Sequence, residues 1–326
     1  MATSKSKKTA AKNKASSAKA KTGAKATKVT KKASVTGKGV VGKKTTTKSA
    51  KNNSKEIVAK QPIASDGKKS SFKNFFAKKY NTNESILTIF KKKNTYGALL
   101  GELIGTMLIT TIFIAMLQLN EPLWMLFSIL PVILAVYKLS GSNLNPAITV
   151  GMMITRRISV IRGVLYIVAQ ILGAWIGMLI MAKFCDAGGM GSELPKMAAI
   201  EDGQFWMVTM IEFFGASIIG FCFARALQYK HSSFTFAIVV AGGIITALIL
   251  ALVISILYAS LSSNFVLNPA IAFMYKILPT AGTEFSEVLG SIAVALTAYV
   301  IFPSLGCTIG FLLSDVSSFL SDESVN

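Results

Sequence analysis

The tripeptide Asn-Pro-Ala occurs twice in this chain, at Asn145-Pro146-Ala147 and Asn268-Pro269-Ala270, each preceded by Leu, followed by Ile and set between long apolar runs. Asn is a favoured N-cap, and Pro is pre-organised for the first helical position because its missing N–H would have had no partner there. Each tripeptide therefore starts a helix. The stretches that follow, Ile148 to Thr155 and Ile271 to Leu278, are too short to cross a hydrocarbon core of about 30 Å at about 1.5 Å per residue. They read as half-helices, with their N-termini inside the membrane, where free N–H groups and about half a positive charge of macrodipole face a cavity. Non-helical backbone at that depth is tolerated only where it is buried in protein or lines water. One Asn-Pro-Ala also caps ordinary helices; a second copy in the corresponding half of a membrane protein is the informative feature.

Apolar runs long enough to span occur at about Tyr96–Gln118, Leu123–Leu139, Val160–Phe184, Phe205–Ala226, Phe234–Leu257 and Val288–Leu313. The predicted fold class is an all-α membrane protein with six transmembrane helices plus two re-entrant half-helices in an inverted repeat. Gly101-Glu102-Leu103-Ile104-Gly105-Thr106 in the first span echoes Ile211-Glu212-Phe213-Phe214-Gly215-Ala216 in the fourth. Tyr166, Gly173 and Gly177 in the third match Tyr299, Gly306 and Gly310 in the sixth at a constant offset. Three spans per copy is an odd number, so the second copy inserts upside down and the half-helix ends meet near the midplane. The small-residue pairs Gly101/Gly105, Gly173/Gly177 and Gly306/Gly310 are expected to let helices approach closely.

Mean hydropathy is +0.53 and net charge +20, but these averages join two unlike parts. Of the 35 Lys and Arg, 26 precede residue 96, against three acids, so the high charge belongs to an appendage. Residues 1–70, rich in Lys, Ala, Ser and Thr, cannot bury enough apolar surface to offset chain entropy and are expected to be a disordered cytoplasmic tail. No apolar signal segment or cleavage site is visible, so the tail is expected to be retained. Anionic lipid and nucleic acid are its candidate partners, beside a solvated tail that only sets topology. Residues 71–95 form a basic-aromatic juxtamembrane segment, in which Phe72, Phe75, Phe76 and Tyr80 recur at helical spacing. The channel-type domain is placed at 96–313 and a short cytoplasmic C-terminus at 314–326. Basic links alternate in side with acidic ones, which puts both termini in the cytoplasm of a multi-pass protein, in the cell membrane.

Glu102 and Glu212 are carboxylates inside apolar spans, costly unless paired or hydrogen-bonded. A proton relay is one reading; since each occurs once per repeat, acceptance of backbone N–H bonds from the re-entrant loops is the preferred one. Cys185, Cys222 and Cys307 have no metal-like spacing, and the single His231 sits in a polar loop. No catalytic residue, metal or cofactor is expected.

Over roughly Tyr96 to Leu313 these residues resemble the major intrinsic protein family, the aquaporins and glycerol facilitators. Ser140-Gly141-Ser142-Asn143-Leu144 leading into the first Asn-Pro-Ala is similar to the family's first loop, and Arg162 to Gln170 to its third helix. The resemblance implies a homotetramer with one pore per subunit, in which Asn145 and Asn268 donate to a file of solutes while helix dipoles repel protons and cations. Carried over by spacing, it puts the selectivity filter at Met125, Ile256, Phe265 and Ile271. The family's filter Arg is absent, its place taken by Ile271; Asn143 stands where His is usual. An Arg-less filter of this kind offers no fork of donors, and it loses a cation barrier of about 4 kcal/mol for a unit charge at about 4 Å in an effective dielectric of about 20. The expected function is a passive channel in the lipid bilayer for small neutral solutes such as glycerol, urea or ammonia, with some water. A secondary transporter built on the same inverted repeat and a closed-pore tethering protein are the alternatives.

Overall fold

The computed structural model describes residues 85–119, 124–189, 200, 203–228, 232–257, 265–274 and 292–321. The tail, the aromatic spacing at 72–80 and the second half of the 271–278 stretch lie outside the described residues.

All regular structure among these residues is helical. A short α1 (Ile86–Lys91) is capped by Ser85, whose hydroxyl accepts from the Thr88 N–H. The first repeat follows as α2 (Lys93–Leu119), α3 (Trp124–Ser140), the half-helix α4 (Pro146–Ile154) and α5 (Val160–Ala187). The second comprises α6 (Phe205–Gln228), α7 (Ser233–Leu257), the half-helix start α8 (Pro269–Ala272) and α9 (Ile292–Leu320). Five of these, α2, α5, α6, α7 and α9, are long and apolar enough to cross a membrane. With 17 residues, α3 is about 26 Å long and contains Pro131. The last helix runs to Leu320, past the expected domain boundary at 313, because Ser314, Asp315 and Ser318 find partners there.

Inverted symmetry is written in the packing. In the first repeat α2 lies on α5, and in the second α6 lies on α9. A Cβ at Gly173 would come within 2.3 Å of the Leu103 carbonyl oxygen, and one at Gly177 within 2.5 Å of that of Met107. The matching glycines repeat the contact: Gly306 against the Phe213 oxygen and Gly310 against that of Ser217, both at 2.1 Å. Helix backbones touch here, so even Ala would push them apart. Gly101 and Gly105 serve differently. They face Leu139, Ser140, Leu144 and Val136 and admit side chains from the end of α3 and the loop after it rather than a neighbouring helix backbone.

Each half-helix also packs into the opposite repeat. Gly151 of α4 lies against the Phe311 ring and Cys307 of α9, whereas Ala270 and Met274, at the start of the second half-helix, cluster with Ala174 of α5. A small residue on one side is matched by a large one on the other, and the partners are exchanged between copies. A third interface joins α3 to α7, where the Tyr137 and Phe236 rings sit 4.4 Å apart.

One irregularity separates the long helices. Between Thr297 and Ile301, α9 adopts a π-helical turn just before Pro303. Proline has no N–H to give the carbonyl four residues back and its ring crowds that carbonyl, so the helix widens.

Candidate functional site: two half-helix ends facing one cavity

The site is built on two strained leucines. Leu144 and Leu267, each just before an Asn-Pro-Ala, adopt left-handed backbone with φ of 52° and 57°, a conformation uncommon for any residue but Gly and costing about 1–2 kcal/mol. Three contacts hold each one. The N–H of Leu144 donates to Glu102 Oε2 (2.7 Å) and that of Asn143 to Oε1 (3.0 Å); Leu267 N–H reaches both oxygens of Glu212 at 3.0 and 3.1 Å, and Val266 N–H reaches Oε1 at 2.5 Å. Both carboxylates are buried, and these backbone donors supply the solvation they lose. The leucine side chains fill the space left by Gly105 and Gly215, where a Cβ would meet a methyl carbon at 2.4 and 2.5 Å. The third contact comes from the other repeat.

That contact is made by the asparagines. Asn145 Oδ1 accepts from the Ala147 N–H at 2.8 Å and Asn268 Oδ1 from the Ala270 N–H at 3.0 Å, which caps both half-helices. Their amide nitrogens then cross over: Asn145 Nδ2 donates to the Leu267 carbonyl (2.8 Å) and Asn268 Nδ2 to the Leu144 carbonyl (3.0 Å). A primary amide has two N–H groups, so each asparagine keeps one for the space in front of it. Both N-termini thus present donors and the positive ends of their dipoles to one place.

That place is a cavity walled by Ile109, Phe113, Met125, Ile129 and Ile133 on the first-repeat side and by Ile219, Val240, Ile244 and Leu248 on the other. Asn145, Asn268, Ser142 and Asn143 supply its polar edge, and Ile148 and Ile271 follow the two tripeptides into it. No charged side chain is among the lining residues.

Of the positions assigned by spacing, Met125 and Ile271 line the cavity and are buried. Phe265 is half-buried and packs on the core beside them without lining the cavity. Ile256 departs from expectation. It is 68% exposed, while its neighbour Ser255 is 8% exposed on the inward face of α7. Val240, Ile244, Leu248 and Ser255 follow the helical repeat, and one further residue turns the side chain about 100° away from it. Counting back from Asn268 crosses a loop, where spacing does not fix rotation; the inward face of α7 does.

Two polar groupings escaped the sequence reading. Gln170 and Thr149 tie Glu102 to the loop at Asn143, and Gln170 was visible as an amide amid apolar α5. At the far end of α4, Arg157 donates to Asp315 at 2.6 Å and lies 4.9 Å above the Phe311 ring. Asp315 also accepts from Gln228, whose Oε1 receives Ser314, Ser318 and Arg225. This cluster fastens the C-terminal end of the first half-helix to α6 and α9. Nothing in the sequence spacing joined Arg157 to residues 158 positions away.

Comparison with known proteins finds one family. The family model described as Major intrinsic protein matches residues 88–313. Aquaporin TIP1-1 of Arabidopsis thaliana is 32% identical over 136 residues, 41% of this chain and 50% of its own. Aquaporin PIP2-5 of Oryza sativa subsp. japonica is 41% identical over 61 residues, 17% of this chain and 22% of its own. The chain therefore spans half or less of the length of these curated relatives. Among solved structures, the X-ray structure of the aquaglyceroporin from Plasmodium falciparum aligns with a TM-score of 0.49 at 17% identity, covering 69% of this chain and 96% of that one. With the family matched over most of its length, the chain belongs to the major intrinsic proteins, as a multi-pass membrane protein.

Proposed function

We propose that this protein is a passive membrane channel for small neutral solutes, glycerol, urea or ammonia among them, with a lesser flux of water. The observation that carries the reading is the crossed asparagine pair: two capped half-helix ends offer free amide N–H groups to one cavity whose other walls are aliphatic. A solute that leaves hydrogen-bonded water regains donors at that level and little elsewhere. Inward-pointing dipoles oppose cations at the same point.

Selectivity rests on a constriction without fixed charge, formed by Met125 and Ile271 with Phe265 nearby, and Ser255 in place of Ile256 on the α7 side. Both carboxylates, Glu102 and Glu212, are occupied as acceptors for backbone donors, which favours a pore over an ion-coupled transporter. The proposal includes a homotetramer with cytoplasmic termini, supported by the family and by the placement of basic links. The basic tail is proposed to contact anionic lipid or nucleic acid and to be dispensable for conduction.

Stopped-flow swelling of proteoliposomes with water, glycerol and urea tests the reading. Flux proportional to the gradient, without saturation or ion coupling, is expected. The Ile271→Arg variant adds a charge and a donor fork to the constriction, and should raise the ratio of water to glycerol flux while lowering proton leak. Saturable, ion-dependent flux would establish a transporter instead, and no flux above empty liposomes would leave only a tethering role.

A further inference from the structure

We propose that Asn143 is a specificity-determining residue of this pore, presenting its side-chain carbonyl to solutes as an acceptor, with Glu102, Gln170 and Thr149 setting which end of the amide faces the cavity. The proposal rests on the channel reading above and extends it to a solute class: small neutral molecules that donate as well as accept hydrogen bonds, as primary amides and urea do.

Each donor in this relay fixes the next. Glu102 Oε2 already accepts from the Leu144 N–H, and Gln170, 2.7 Å away, turns its Nε2 toward the same oxygen. The same nitrogen lies 2.9 Å from Thr149 Oγ1 and donates there as well. Thr149 passes its own hydroxyl proton to the Asn145 carbonyl oxygen at 3.1 Å. With that proton committed, Thr149 Oγ1 meets Asn143 only as an acceptor, and it takes a bond from Asn143 Nδ2 at 3.4 Å. Turning the Asn143 amide over would set two oxygens lone pair to lone pair. Its Oδ1 is thereby directed away from Thr149, and it accepts no hydrogen bond among the described residues, although Asn143 lines the cavity.

The crossed asparagines offer donors; Asn143 adds an acceptor two residues before the first of them. A molecule of about four heavy atoms carrying both N–H and C=O engages the two kinds of group within one cavity. The second repeat has no copy of this relay. The constant offsets that relate the repeats carry Gln170 to Pro303, Thr149 to Ala272 and Asn143 to Val266, none with a hydrogen-bonding side chain. The acceptor therefore stands on one side of the crossing only.

The test compares urea with dimethyl sulfoxide, both of four heavy atoms, of which only urea donates. Fluxes are measured in proteoliposomes holding the full chain, per inserted molecule and with empty-liposome rates subtracted. Asn143→Val should lower the urea-to-dimethyl-sulfoxide ratio about fivefold, the weight of one net hydrogen bond. Thr149→Val should move the ratio the same way by freeing the amide to turn, and Thr149→Ser should restore it. An equal fall for both solutes, or an unmoved ratio, in Asn143→Val would overturn the assignment; were that variant not to insert, a ratio that ignores the Thr149 pair would do so. A parent that passes neither water nor either solute overturns the channel reading itself and this inference with it, whereas parental flux with an unmoved ratio removes this inference alone.

Discussion

The two halves of this protein share a framework and differ in the side chains gathered around it. In both, a carboxylate accepts two backbone donors, a left-handed leucine fills a glycine notch, and an asparagine caps its own helix while bonding across to the other. The first half adds Gln170 and Thr149 to that frame and runs α5 as unbroken α-helix past the site. Where the offset predicts a second Gln, the other half carries Pro303, preceded by the π-helical turn at Thr297–Ile301. Positions that form the crossing are duplicated, whereas Gln170 and Thr149 are not. Geometry at the crossing is thus under tighter constraint than the means of supporting it.

The largest effect should come from removing the carboxylates. Glu102→Ala and Glu212→Ala each strand two buried backbone N–H groups, at about 1–3 kcal/mol apiece. Both are expected to lose most folded protein in detergent, read by size-exclusion yield and thermal unfolding. A variant at either position that keeps parental stability would break the symmetry of the framework.

Next come the contact glycines. Gly173→Ala and Gly306→Ala force a Cβ onto a carbonyl oxygen of the neighbouring helix and should each cost about 1–3 kcal/mol. Similar losses in thermal unfolding are expected for the pair. A loss confined to one of them would locate the rigid helix pair in that repeat.

Asn145→Asp and Asn268→Asp keep the capping oxygen but replace the crossing N–H with a second acceptor, at the convergence of both dipoles. A severalfold rise in cation leak is expected from either, measured as dissipation of a potassium gradient in liposomes. Because Asn145 is fastened through Thr149 as well, its variant should keep more neutral flux than that of Asn268. The reverse order would mean that the Thr149 bond to the Asn145 carbonyl adds nothing to the hold on the first half-helix.

The smallest change is expected of Pro303→Ala. It returns an N–H to α9 and removes the ring that crowds the preceding turn, so unfolding should rise in free energy by about 1 kcal/mol, with solute selectivity unchanged. A fall in stability would mean that the π-helical turn is itself a packing requirement of the second half.

Local chemistry was legible in the sequence wherever a residue type has few possible reasons to be where it is. Asn followed by Pro between apolar runs marks a helix start, and α4 and α8 begin at Pro146 and Pro269. Five of the six apolar runs give their helices to within a few residues, since hydropathy and length are both properties of the chain itself, whereas the last helix runs seven residues past Leu313. Rotation about a helix axis is harder to reach. Ile256 was counted along the chain from Asn268, whereas its direction is set by the face that α7 turns to the core, and that face had already been declared by Val240, Ile244 and Leu248. The pair Gly101/Gly105 reads as a site of close helix approach, and nothing in its own span shows that the Leu144 side chain fills the notch. Arg157 and Asp315 were beyond reach, since a pair 158 residues apart becomes neighbours only once α4 and α9 have packed.

The crossed asparagines carry a consequence for the order of assembly. Asn145 bonds to a carbonyl 122 residues further along, and Leu144 receives its bond from a side chain 124 residues away. A ribosome delivers the first repeat well before either partner exists. Until Asn268 arrives, the first half-helix has its cap and its carboxylate but an unmet amide and a strained carbonyl at membrane depth. The nascent first half is accordingly a structure in waiting, open to water or to the insertion machinery, and the pore becomes a pore only when the second copy closes the last two hydrogen bonds from the opposite side.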